Sequence, residues 1–143
     1  MSDDMDYFVD TNTLWWLVSQ KSKHHYKVEK FLLDLVQDDD RFFINTFVAI
    51  ELLHLLIKQI GPSGKQFFDK LQEEHLLSIL PVIGSKLLDN IWNVLTKYGI
   101  ISSIGGRDAS ILVSMVEYNI STIITNDKDF ANVKEISVLD PLS

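Results

Sequence analysis

The sequence predicts an α/β fold in which a parallel sheet is covered by helices on both faces. Short apolar or β-branched runs of strand length recur along the chain, and stretches with helical periodicity separate them. Strands joined through helices must cross over, which makes neighbouring strands parallel and leaves both sheet faces to be covered. No internal repeat or low-complexity segment interrupts the alternation. At 143 residues the chain has the length of a single domain, 1–143, able to bury about 68 to 70% of its unfolded surface.

Tyr7, Phe8 and Val9 form the first strand, which ends at Asp10, and Thr11–Leu17 begins a helix with Thr/Asn capping chemistry. Lys23–Val36 sets Val28, Phe31, Leu32, Leu35 and Val36 near one helical face and stops at the turn-forming run Asp38, Asp39, Asp40. Phe42–Ile44 is the second strand. Asn45 or Thr46 caps the next helix, which runs to about Ile60 and is ended by Gly61 and Pro62. Ser63–Glu74 is a further helix, and Leu76–Val82, apolar and too short for a helix, is a buried strand. Gly84–Tyr98 and Asp108–Tyr118 are helices separated by a loop with Gly99, Gly105 and Gly106. Thr122–Thr125 and Ile136–Leu139, ahead of Pro141, are the last strands.

Composition narrows the function. The 13 Lys and Arg against 20 Asp and Glu give a net charge of −7, the wrong sign for a non-specific nucleic-acid binder. Without cysteine there is no disulfide, thiolate zinc site, iron–sulfur cluster or cysteine nucleophile. The acidic start, with Asp3, Asp4 and Asp6, is the reverse of a secretory n-region, and the longest charge-poor window, Phe42–Ile57, is too short and, through Glu51, too polar for a membrane span. These features point to a cytoplasmic protein with no membrane partner.

In parallel sheets ligands bind beyond the carboxyl ends of the strands, where strand order reverses, so residues directly after strands are the first candidates. Asp10 ends one strand in Val9-Asp10-Thr11-Asn12, and Asp127 follows another in Thr125-Asn126-Asp127-Lys128-Asp129-Phe130. Each also suits a structural role as helix cap or turn former. Asp108 heads an apolar stripe: Ile111, Leu112 and Met115 lie within about 60° of it, whereas Ser110, Ser114 and Glu117 lie on the far side. An inward carboxylate is costly unless it is paired, hydrogen-bonded or metal-bound, although a first-turn acid also gains from the helix dipole.

Glu51 has two readings. Its helical neighbours are Phe47, His54, Leu55 and Lys58, and Ala49, Leu53, Leu56 and Ile60 form the opposite apolar side, so spacing allows Glu51, His54 and Lys58 to be a solvated stripe. Glu51-x-x-His54 also matches half of a di-iron helix motif, whose second half the sequence lacks. Should these acids converge, their mutual repulsion would require them to take up protons or hold a cation. Oxygen donors without Cys or an obligatory His select the hard ions Mg²⁺ or Mn²⁺ rather than zinc, which suits phosphoryl chemistry.

Val9-Asp10-Thr11-Asn12, Glu51 in an apolar helix after a short strand, Asp108-Ala109-Ser110-Ile111-Leu112 opening a helix, and the segment Thr125–Phe130 follow one another in that order. Together they resemble the PIN-domain ribonucleases, especially the small VapC-type toxins of prokaryotic toxin–antitoxin pairs, and the resemblance covers nearly the whole chain. It implies a three-layer α/β/α sandwich around a mainly parallel, five-stranded sheet. It further implies a Mg²⁺- or Mn²⁺-dependent endoribonuclease with one or two ions per site, a homodimer, and a small antitoxin protein as partner. Carried over by position, Asp10, Glu51, Asp108 and Asp127 are the catalytic metal ligands and Asp129 is a further acid beside them. Thr11, Asn12, Thr125 and Asn126 fall where small polar groups orient an acid, a water or a phosphate. The matching chemistry is attack of metal-activated water on phosphorus, leaving a 5′-phosphate and a 3′-hydroxyl.

Candidates for RNA binding are few. Arginine occurs only at Arg41 and Arg107, so Lys21, Lys23, Lys27, Arg107 and Lys128 are the substrate-binding candidates, and the basic segment Lys21–Lys30 equally suits a solvated helix face. Trp15, Trp16 and Trp92 suit either base stacking or a core or dimer contact. Two other functions stay open: a PIN-like scaffold that binds RNA or protein without cutting, and a haloacid dehalogenase-like phosphatase. The latter needs a second Asp two residues after the first, where this chain has Asn12.

Overall fold

The computed structural model describes residues 5–35, 40–73, 77–82, 84–99 and 103–143. Its strands β1 (Asp6–Val9), β2 (Arg41–Asn45), β3 (Ser78–Leu80), β4 (Thr122–Ile124) and β5 (Ser137–Leu139) form one five-stranded sheet in the order β3-β2-β1-β4-β5. All four pairings are parallel, with Phe8 between Phe43 and Ile123. Phe8, Ile123, Ile124 and Ile44 are fully enclosed, as central strands covered on both faces must be.

The helices are α1 (Thr11–Val18), α2 (His25–Leu35), α3 (Thr46–Gln59), α4 (Gly64–Glu73), α5 (Ser85–Val94) and α6 (Gly106–Glu117). They pack as two groups, α1 to α4 and α5 with α6. The chain runs outward from β1 to β3 and then back across to β4, and with the right-handed sense general to such crossovers this sets the two groups on opposite faces and makes the sandwich. The helix α4 crosses close to α3 at Gly64, where a Cβ would come within 2.9 Å of the Leu56 carbonyl oxygen. No helix among the described residues is long and apolar enough to cross a membrane.

Several boundaries differ from the sequence reading. β3 stops at Leu80 rather than Val82: Pro81 has no N–H for the ladder, and the Val82 N–H donates to Thr46 Oγ1 at 3.2 Å instead. The helix expected over 84–98 changes at Leu95 into a π-helical turn to Gly99. After Asp127 the chain forms a short 3₁₀ helix, Lys128–Asn132, that the sequence reading leaves out. Val36, Asp38, Asp39, Glu74 and Leu76 lie outside the described residues.

Three features position the site. Chain order reverses between β1 and β4, so the carboxyl ends of these central strands border the cleft. α6 enters β4 from the opposite end of the sheet, which carries its first turn to that same border. α3 begins directly at the carboxyl end of β2, where Asn45 accepts the Val48 N–H at 3.0 Å and caps the helix. The Asn45 amide also donates to Ser110 Oγ at 3.3 Å and Ser114 Oγ at 3.2 Å, joining β2 and α3 to α6. Both serines are therefore buried, contrary to the far side that angle counting assigns them. α6 is enclosed from Asp108 to Met115, and Asn45 supplies the partner that a buried hydroxyl needs.

Candidate active site

Asp10 follows β1 and caps α1. Its Oδ1 accepts the Thr11 N–H at 2.7 Å, and its Oδ2 accepts the Thr125 hydroxyl at 2.9 Å. Thr125, directly after β4, in turn accepts the Asp127 N–H at 3.0 Å, so one hydroxyl ties the acids behind the two central strands together. Asp127 caps the 3₁₀ helix through Oδ1, which accepts the Asp129 N–H at 2.9 Å, and this leaves Oδ2 toward the cleft.

Asp108 sits in the first turn of α6 and is 7% exposed. Its Oδ2 accepts the Gly105 N–H at 3.4 Å, while its Oδ1 is buried and accepts no hydrogen bond. Burial raises the Asp108 pKa, and Asp127 and Asp10 add to the rise, against the lowering influence of Arg107 and the Gly105 N–H. Carboxylate oxygens of Asp108, Asp127 and Asp129 lie within 4.8 Å of one another.

Glu51 projects from α3 into the same cleft, with its side chain 42% exposed. The buried stripe of α3 is Val48, Ala49, Leu52 and Leu56, while Ile60, expected within it, is 39% exposed at the helix end. The polar side that spacing assigns to solvent therefore splits, with Glu51 facing the other acids and His54 exposed. Burial raises the Glu51 pKa first, Arg107 lowers it, and Asp10 and Asp108 raise it further.

Arg107 is the residue whose place sequence reasoning missed. The sequence offers it only as a substrate-binding candidate, yet its guanidinium lies among four acids. Nη1 is 2.6 Å from Asp10 Oδ1, Nε is 3.3 Å from Glu51 Oε1, and Nη2 is 3.3 Å from Asp108 Oδ1 and 3.9 Å from Asp127 Oδ2. Burial works against its charge, but Asp10, Glu51 and Asp108 outweigh that and raise its pKa. The only sequence signal was its position beside Asp108 in the first helical turn. Asn45, Ser110 and Ser114, which brace the elements carrying Glu51 and Asp108, were likewise missed as site supports.

The other candidates stand apart from this cluster. Asn12 is exposed on α1, and Asn126 is half-buried between Thr125 and Asp127. Lys21, Lys23 and Lys27 are exposed on the α1–α2 connection and on α2. Lys128 reaches Asp140 Oδ2 at 3.3 Å rather than the site acids. Trp15 and Trp16 pack partly buried against the core, while Trp92 is 70% exposed on α5.

A PIN domain family model matches residues 7–136, and the chain belongs to the PIN domain family. Among solved structures it is similar to VapC20 of Mycobacterium tuberculosis, described as a sarcin-ricin loop cleaving toxin, with a TM-score of 0.71 and 16% identity over 90% of this chain and 95% of that one. It is also similar to a toxin–antitoxin complex from Klebsiella pneumoniae (TM-score 0.70, 18% identity, 94% and 97% covered). VapBC-1 from nontypeable Haemophilus influenzae is a third such structure (0.69, 22%, 97% and 100%). No curated protein matches the sequence. The phosphatase alternative falls with the family assignment.

Proposed function

We propose that this protein is a Mg²⁺- or Mn²⁺-dependent endoribonuclease of the VapC toxin type, acting in the cytoplasm on RNA and restrained by a small antitoxin protein. Membership of the PIN domain family supports a nuclease, and relatives solved as toxin–antitoxin complexes support the toxin role. The observation that carries the metal is Asp108 Oδ1, a buried carboxylate oxygen with no hydrogen bond, facing a group of acids that a single guanidinium does not neutralise. The donors are all oxygen, which fits a hard divalent ion. Asp10, Glu51, Asp108 and Asp127 would hold it, with Asp129 beside them.

A divalent ion held there would supply Lewis acidity for water and would neutralise the negative charge that builds on the phosphoryl and leaving oxygens. The chain does the positioning. Thr125 and the Thr11 N–H hold Asp10 in one orientation, the Asp129 N–H holds Asp127, and the Gly105 N–H holds Asp108. With at least one oxygen of each of these three aspartates held, less reorganisation is left for the reaction itself. Outside the cleft, an apolar cavity of about 220 Å³ lined by Leu17, Leu32, Leu33, Phe42 and Leu71 supports an antitoxin segment as partner, and exposed Leu88 and Trp92 on α5 support a homodimer.

The deciding experiment compares RNA cleavage, with Mg²⁺ or Mn²⁺ and after chelation, by wild type, Asp10→Asn and Asp108→Asn. Metal-dependent cleavage giving 5′-phosphate ends, lost in both variants, is the expected result. Equal activity in all three would refute the nuclease assignment, and bound metal without cleavage of any RNA would turn the reading toward a binding scaffold.

A further inference from the structure

We propose that Arg107 and the divalent ion hold the same carboxylate oxygens in turn, so that metal entry expels the guanidinium from the acid cluster into the cleft. This inference rests on the metal-dependent reading above. Four oxygens of the cluster have other partners: Asp10 Oδ1 takes the Thr11 N–H, Asp10 Oδ2 the Thr125 hydroxyl, Asp127 Oδ1 the Asp129 N–H and Asp108 Oδ2 the Gly105 N–H. The oxygens left for an ion include Asp108 Oδ1, Asp127 Oδ2 and Glu51 Oε1, and these are the atoms around which the guanidinium lies at 3.3 to 3.9 Å.

An ion bound at about 2.0 to 2.6 Å from these oxygens would occupy the space between the acids that the guanidinium now fills, and would repel its like charge. Charge also decides which occupant wins. One guanidinium offsets one of the four acid charges around it, whereas a divalent ion offsets two.

Departure is structurally cheap. Arg107 is in the first turn of α6, its side chain is one-third exposed, and its backbone carbonyl is held separately by the Ser110 hydroxyl at 2.6 Å. The helix stays in place while the side chain swings. The released guanidinium is then a planar donor fork beside the metal, suited to an RNA phosphate. The other arginine, Arg41, is bound bidentately to Asp6 at 2.9 Å for both contacts and is not available for that task. Metal loading thus converts an internal counter-ion into a substrate-binding group.

The test is calorimetric titration of Mn²⁺ into metal-stripped wild type, Arg107→Gln and Arg107→Lys. A second measurement follows the Arg107 Nε–H signal of wild type by NMR during Mg²⁺ titration. Arg107→Gln should bind Mn²⁺ about tenfold or more tightly than wild type, with Arg107→Lys between them. In wild type the Nε–H should shift and exchange faster with water over the same range in which the ion binds. Equal or weaker Mn²⁺ binding by Arg107→Gln, or an Nε–H unmoved at saturation, overturns the exchange and leaves the metal site standing. Absence of Mn²⁺ binding in all three proteins overturns the metal reading itself, and the exchange with it.

Discussion

At Lys97, Tyr98 and Glu135 one ammonium meets one carboxylate in water; at Arg107 one guanidinium meets four carboxylates behind protein. The first cluster is matched in charge: Lys97 Nζ is 2.7 Å from Glu135 Oε1, and hydrogen bonds from Lys97 and Tyr98 hold the Glu135 pKa down to about 2. Water surrounds it, so little depends on it. In the second, burial raises the pKa values of Glu51 and Asp108 despite the arginine beside them. Short ion-pair distances alone do not distinguish the two clusters. The distinction lies in whether charge is balanced and whether water can reach it.

The sharpest way to break this comparison is to remove acids from the unbalanced cluster. Asp10→Asn and Asp108→Asn should each lower metal-dependent RNA cleavage by about a hundredfold or more, read from initial rates at saturating Mg²⁺. Next in size is the brace behind the cluster. Asn45→Ala removes the α3 cap and the partner of Ser114, and should cost about 2 kcal/mol in urea unfolding, with weaker Mg²⁺ binding because Glu51 and Asp108 lose their common support.

A third prediction has the opposite sign. The Asp108 pKa is raised in the folded protein, so its ionised form is disfavoured by folding, and the cost is present at neutral pH and relieved as pH falls through the raised value. Asp108→Asn should therefore raise the Tm of chelator-treated protein by about 2 to 4 °C, an advantage that saturating Mn²⁺ narrows by stabilising wild type alone. The smallest effect belongs to the balanced pair. Glu135 has a depressed pKa, so its contribution is present above its ordinary 4.5 and lost as pH falls toward about 2. Glu135→Gln should shift Tm at neutral pH by about 1 °C or less in 0.15 M salt, because a fully exposed pair is screened.

The legible part of this molecule is local. Strand runs alternating with helical periods foretold the sheet and its helices, since burial on both faces of a parallel strand leaves an apolar run that any neighbour-by-neighbour reading detects. The positions of Asp10 and Asp127 were legible for the same reason, one directly after β1 and the other in the short loop that follows β4. Glu51 was not legible by angle counting, because the side of α3 away from the core faces other acids at the cleft instead of bulk water. Ser110 and Ser114 were misplaced because a helix enclosed all round has no polar side to find, and their partner is Asn45, 65 and 69 residues away.

By itself the sequence determined the chemical vocabulary: acids after strands and at the head of a helix, no cysteine, two arginines, and hence oxygen ligation of a hard cation if those acids meet. Only the tertiary structure decided that they meet, and that Arg107 lies among them 97 residues from Asp10. The physical reason is that charge balance and burial belong to the space around a side chain. That space is set by where β1, β4, α3 and α6 converge, which short-range pattern along the chain does not encode.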